Sequence, residues 1–180
     1  MRPLLLTCLA LVAACDNPFA LPRATFLNVV DTVSLYALNG TPPATPSGYQ
    51  LQFREVVRVD QGGTFDFAVD VDSAGHPVLK PTGALRLGRN SGVRLDSLPF
   101  DSIKFAPDRG FQLDSAVRVD VGSVAIVHSR ATTCTFGIPA VYYAKLQILE
   151  LDTLARRLRF QILVDANCGY RGLELGVPSR

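Results

Sequence analysis

Tyr142-Tyr143-Ala144-Lys145-Leu146-Gln147-Ile148-Leu149-Glu150-Leu151, Asp152-Thr153-Leu154-Ala155-Arg156 and Arg157-Leu158-Arg159-Phe160-Gln161-Ile162-Leu163-Val164 run consecutively near the C-terminal end of the chain. Tyr142, Ala144, Leu146 and Ile148 fall on even positions before the central five residues, and Leu158, Phe160, Ile162 and Val164 on even positions after them. Side chains of a strand alternate between the two faces of its sheet, so each segment reads as a strand with one apolar face. Pairing Leu151 with Arg157 sets Ile148 opposite Phe160, Leu146 opposite Ile162 and Ala144 opposite Val164. A slip of one residue would send an entire face to water. The reading therefore predicts a hairpin whose loop has three or five residues, and excludes a two-residue turn at Thr153-Leu154.

The same period continues upstream. Val33, Leu35 and Ala37 alternate with Thr32, Ser34 and Tyr36 up to the turn signal Asn39-Gly40, and the proline-rich stretch from Thr41 to Gly48 reads as a surface loop. Tyr49, Leu51, Phe53, Val57 and Val59 predict one strand ending near Asp60. Gln61-Gly62-Gly63 would turn it directly onto a partner, in which Phe65, Phe67, Val69 and Val71 face inward and Asp66, Asp70 and Asp72 outward. Shorter strands are expected around Val78–Lys80, Ala84–Leu87 and Val93–Leu95. An irregular loop or short helical turn is expected over 97–110, and a strand from Phe111 to Val121. Val124-Ala125-Ile126-Val127, apolar on both faces, suits a central strand. No window has the 3.6-residue period of a globular helix. The expected fold is all-β, a single antiparallel β-sandwich, Ig-like or similar, with a small closed β-barrel as the alternative.

The beginning of the chain has a different composition. Arg2 precedes the apolar run Leu4–Leu11, and Val12-Ala13-Ala14 leads to Cys15. A positive start, a short apolar stretch and small residues form a secretory signal, too short to span a bilayer. Val12-Ala13-Ala14-Cys15 resembles the lipobox of bacterial lipoproteins. That resemblance implies cleavage before Cys15, a diacylglyceryl group on its thiol, a third acyl chain on its amine, and a location in the cell envelope facing the periplasm or the exterior. Asp16 resembles the inner-membrane retention signal of enterobacterial lipoproteins. The expected organisation is a removed signal at 1–14, a lipidated cysteine and tether at 15–23, and one β domain at 24–180.

Of the four cysteines, Cys8 leaves with the signal and Cys15 takes the lipid. Cys134 and Cys168 remain, and in an oxidising compartment they are expected to form a disulfide across the open end of the hairpin. Closing a loop of about 35 residues corresponds to about 3–4 kcal/mol in the chain-entropy picture. A zinc site combining them with His76 and His128 is the alternative, but no two ligands are close in sequence.

Other constellations carry little chemistry. Asp70-Val71-Asp72-Ser73-Ala74-Gly75 matches the start of a calcium loop, then fails at Ala74 and Pro81, so a solvated strand end entering a turn is the simpler reading. His128-Ser129 adjacency places the two side chains on opposite faces, and no nucleophile elbow occurs. Arg156, Arg157 and Arg159 beside Glu150 and Asp152 read as a hydrated tip, and Asn167–Gly172 as a cysteine-fixed corner with Tyr170 and Arg171 exposed. With a formal net charge of +2, no field favours nucleic acid. No cofactor is expected. The leading functional expectation is a lipid-anchored, non-catalytic binding or structural module, held at a membrane and meeting an envelope protein partner. A lipocalin-like carrier of an apolar ligand is second, though the Gly-x-Trp signature of that family is missing. An envelope hydrolase using His76 or His128 is third.

Overall fold

The structure, a computed structural model, describes residues 21, 23–134, 137 and 139–178. Its described strands are β1 (Val30–Tyr36), β2 (Gly48–Gln50), β3 (Glu55–Val57), β4 (Phe67–Val71), β5 (Pro77–Pro81), β6 (Gly92–Asp96), β7 (Val117–Arg118), β8 (Val124–His128), β9 (Thr132–Thr133), β10 (Pro139–Ala140), β11 (Tyr143–Asp152) and β12 (Arg157–Asp165). They form one antiparallel sheet in the order β1-β12-β11-β8-β6, a second in the order β3-β2-β4-β5-β7, and a small β10-β9 ladder. The two large sheets stay open and share one core, so the fold is an all-β sandwich. Among the described residues the sheets do not close into the small barrel that was the alternative fold.

The core follows the alternation. Leu158, Phe160, Ile162 and Val164 of β12 and Ala144, Leu146 and Ile148 of β11 meet Tyr49, Phe67, Val69 and Leu79 of the opposite sheet. Tyr49, Phe67 and Phe160 gather with ring centroids 5.7–6.4 Å apart, which adds directional aromatic contacts to the burial.

The predicted register holds, since Ala144, Leu146 and Ile148 pair with Val164, Ile162 and Phe160. The loop length differs. Leu151 pairs with Leu158 and Asp152 with Arg157, leaving four loop residues, Thr153–Arg156, and the register shifts between Ile148 and Glu150. Leu149 is an extra residue on one strand, a β-bulge that restores the parity an even loop would break. The Asp152 carboxylate accepts from the amides of Leu154 and Ala155, and Arg156 takes a left-handed conformation, φ +50°, to close the turn.

Tyr49 to Asp60 is not one strand. The chain reverses after Gln50, with Arg54 at φ +55° and its amide donating to the Leu51 carbonyl, so β2 and β3 form a hairpin tipped by Phe53. β2 then pairs with β4 through Gly48 and Tyr49, and β3 becomes an edge. The segment expected as a strand at Ala84–Leu87 is a 3-10 turn over Thr82–Leu85, and the long strand expected from Phe111 contracts to β7 plus a bridge between Val93 and Gln112.

β8 is buried on both faces because a third layer covers its sheet. Ala125 and Val127 enter the main core, whereas Val124 and Ile126 pack with Phe100, Ile103, Ala106, Leu163 and Leu173. Lys145 lies in this outer cluster. Its ammonium donates to the carbonyls of Phe100 and Ile103 at 2.8 and 2.9 Å and sits 4.5 Å from the Phe100 ring centroid. Burial pushes its pKa down.

Candidate functional site

Asp165 ends β12, followed by Ala166-Asn167-Cys168-Gly169. Its Oδ1 accepts from the backbone amide of Asn167 at 2.9 Å and from Asn167 Nδ2 at 3.0 Å. Thus oriented, Asn167 Oδ1 accepts from the amides of Thr25 and Phe26 at 2.8 and 2.9 Å, while Nδ2 also donates to the Phe26 carbonyl at 2.8 Å. One amide side chain does for the incoming chain what a neighbouring strand would do. Asp165 Oδ2 is buried without a hydrogen-bond partner among the described residues, and desolvation raises the carboxyl pKa despite the bonds from Asn167.

The same corner is crosslinked. Cys134 and Cys168 form a disulfide with their Cα atoms 6.0 Å apart. Gly169, at φ +81°, lies so close to Leu21 that a Cβ there would meet the leucine side chain at 2.9 Å. The N-terminal segment is therefore held at this end of the sandwich by an amide clamp, and Leu21 packs against a glycine of the crosslinked corner.

Three adjoining depressions of about 270, 380 and 730 Å³ open around Tyr142 at this end. The largest is apolar, walled by Phe26, Leu27, Val29 and Phe53. Phe26, Leu27 and Phe53 are 60%, 57% and 63% exposed. Arg54 is the charged residue of that wall, and its guanidinium donates to the Leu27 carbonyl at 3.0 Å, tying the β2–β3 tip to the incoming chain. The smallest depression includes the polar residues Asp66, Ser129 and Arg130. Asp66 accepts from the amides of Leu51 and Arg130 at 2.8 and 3.1 Å, with the Arg130 guanidinium at 3.4 Å. Ser129 donates to the Arg130 carbonyl and accepts from the Tyr142 amide. These groups fasten the wall of the depression.

Several residues singled out by the sequence are separated by the fold. His76, in the β4–β5 turn, has Nδ1 3.4 Å from the Asp72 carboxylate. His128 ends β8 on the other sheet, packs edge-on against Phe111 with centroids 4.7 Å apart, and places Nδ1 2.9 Å from the Ser129 carbonyl. Burial lowers its pKa. The Ser129 hydroxyl is engaged elsewhere, so His128 and Ser129 make no nucleophile–base pair. With both thiols in the disulfide, the alternative zinc set dissolves. Among the described residues, no three of His, Cys, Asp and Glu converge as a metal site.

Asp66 and Asp70 do not face solvent as alternation predicts; both are buried. Asp70 accepts from Lys80 Nζ at 2.6 Å, from Asn39 Nδ2 at 2.6 Å and from the amides of Asn39 and Val71. Asp72 instead caps its own turn through the amides of Ala74 and His76. The two carboxylates thus serve separate structures, and the calcium-loop likeness has no geometric counterpart.

Arg157 and Arg159 do pair with Glu150 and Asp152 at the hairpin tip, Arg157 and Asp152 being half-buried, whereas Arg156 turns back to the Asn39 and Val71 carbonyls and braces the two sheets. Tyr170 is buried, and Arg171 donates to the Ala106 carbonyl while stacking on Phe105, so that corner is structural. Cys15 lies outside the described residues. Sequence reasoning missed the Phe26-Leu27 surface and the Asn167 clamp. The available signal was an apolar pair ahead of the first alternating strand, with no partner in that strand's pattern.

Comparison with protein-family models, curated proteins and solved structures finds no match to this chain.

Proposed function

We propose that this chain is a lipid-anchored cell-envelope module that binds or scaffolds at a membrane surface without catalysis. The observation that carries the reading is the charged start, apolar run and small residues ending at Val12-Ala13-Ala14-Cys15. The Cys134–Cys168 bond supports it, because disulfides persist in exported proteins and are rare in the cytosol. The engagement of His128, Ser129 and Asp66 in packing and backbone hydrogen bonds supports the non-catalytic part. Several acyl chains on Cys15 give stable attachment, since each buried methylene contributes about 0.8 kcal/mol and one chain alone is marginal.

The experiment is fatty-acid labelling and membrane fractionation of the wild type beside Cys15→Ser. The wild type is expected to carry label and sediment with membranes, and the variant to lose both. A mature wild-type polypeptide that retains Met1 and carries no acyl mass overturns the anchor.

A further inference from the structure

Leu21, the first described residue, is six residues beyond Cys15. A fully extended chain spans at most roughly 3.3–3.6 Å per residue, so an acylated Cys15 stays within about 20 Å of Leu21. Leu21 packs against Gly169 of the crosslinked corner, and Asn167 pins Thr25 and Phe26 directly after it. Beyond that point the exposed surface is apolar, formed by Phe26, Leu27 and Val29 from the incoming chain and Phe53 from the β2–β3 tip. Arg54 is in its wall, Arg23 lines the adjoining depression, and among the described residues no carboxylate lines either one.

We infer that this end of the sandwich lies directly on the bilayer, with Phe26, Leu27, Val29 and Phe53 inserted at the interface and Arg23 and Arg54 against anionic headgroups. The inference rests on acylation of Cys15 and deepens that reading by fixing which face of the domain the membrane covers. Aromatic and aliphatic side chains backed by arginine are the composition of interfacial contact. A short tether raises the effective concentration of the patch at the surface, so a contact too weak to recruit the free domain becomes populated once the chain is anchored. The opposite pole is the β11–β12 tip, where Leu154 is 97% exposed, roughly 25–30 Å along the strands from Asp165.

The chain contains no tryptophan, so one introduced indole reports on one place. Phe53→Trp and Leu154→Trp are made separately in the full chain. Each purified protein is weighed intact, then incorporated into vesicles of phosphatidylethanolamine and phosphatidylglycerol with brominated acyl chains. The inference expects acylated Phe53→Trp protein to show blue-shifted emission quenched by the brominated lipid, and Leu154→Trp to keep water-like, unquenched emission. Adding Phe26→Ser and Leu27→Ser to Phe53→Trp should reverse most of the quenching while the acyl mass is unchanged; all three positions are exposed, so the core is untouched.

Acylated protein with water-like emission at both positions overturns the membrane-facing end and leaves the anchor standing. Equal quenching at both positions also overturns it, since the domain would then have no fixed orientation. Protein without acyl mass overturns the anchor. In that case, selective quenching at Phe53→Trp on added vesicles would support the docking surface alone, and absence of quenching would remove both.

Discussion

Replacing Tyr49 with phenylalanine should stabilise the protein. The ring lies in the core against Phe67 and Phe160, and its hydroxyl is buried with no hydrogen-bond partner among the described residues. A hydroxyl taken from water without compensation costs about 1–3 kcal/mol in protein mutational series. Removing the oxygen leaves a void of roughly 15 Å³, which at about 24 cal/mol per Å³ offsets only about 0.4 kcal/mol of the gain. The net expectation is about 1 kcal/mol in favour of Tyr49→Phe, or roughly 2–4 °C in Tm for a chain of this size. Urea titration at neutral pH should show a higher midpoint with an unchanged slope.

A second readout isolates the hydroxyl. Burial, and secondarily the Asp31 charge, raise the Tyr49 pKa far above the ordinary tyrosine value. Above about pH 10 the unfolded tyrosine ionises while the folded one keeps its proton, so wild-type stability falls with rising pH by up to about 1.4 kcal/mol per unit from this group. The variant lacks that contribution, so the stability advantage of Tyr49→Phe over wild type should grow as pH rises above about 10. A lower urea midpoint for Tyr49→Phe with the same slope would mean that the hydroxyl has a native partner, and would refute the reasoning.

Three further outcomes are expected. Lys80→Met removes a 2.6 Å charge-assisted bond from Asp70, whose side chain is 2% exposed, and should cost about 2 kcal/mol at neutral pH. Burial raises the Asp70 carboxyl pKa, but the bonds from Lys80, Val71 and Asn39 outweigh it and hold the folded value below the ordinary one. The cluster's contribution is therefore complete above about pH 4 and lost as pH falls through the folded value, and acid titration of Lys80→Met should begin its loss at higher pH than wild type. Replacing Cys134 and Cys168 together with serine should lower unfolding free energy by about 3–4 kcal/mol, while thiol titration of the unfolded, unreduced wild type should find neither sulfur reactive. Asn167→Ala should cost about 1–3 kcal/mol and speed amide exchange at Thr25 and Phe26, whose acceptor it removes; unchanged exchange there would dismiss the clamp.

The β11–β12 register was legible because two apolar faces had to meet, and the alternation of eight residues constrains that more tightly than any turn propensity. The loop length was not, since a bulge absorbs one residue anywhere along a strand and Leu149 has no compositional mark of one. The reversal after Gln50 was hidden for a related reason. Arg54 adopts the left-handed conformation usually signalled by glycine, while the glycines at 62 and 63 drew the turn to the wrong place. Asp66 and Asp70 followed the solvent pattern, yet loop partners from Asn39, Leu51 and Arg130 cover them, and such long-range partners leave no local signal. The disulfide was readable because Cys134 and Cys168 flank the open end of a hairpin that the alternation already pairs. The surface at Phe26 and Phe53 was not, because it joins two segments that only the folded chain brings side by side.

The Cys134–Cys168 bond also decides how the molecule would answer a mechanical load. Tension applied to the N-terminal segment would meet the Asn167 contacts before it reached the β1–β12 ladder. Once that ladder gives way, the 34-residue separation enclosed by the bond stays shut, withholding roughly 110–120 Å of contour from the stretched chain. A reducing agent would release that hidden length, so the redox state of the surroundings would set how far the domain can be drawn out before it detaches from whatever it holds.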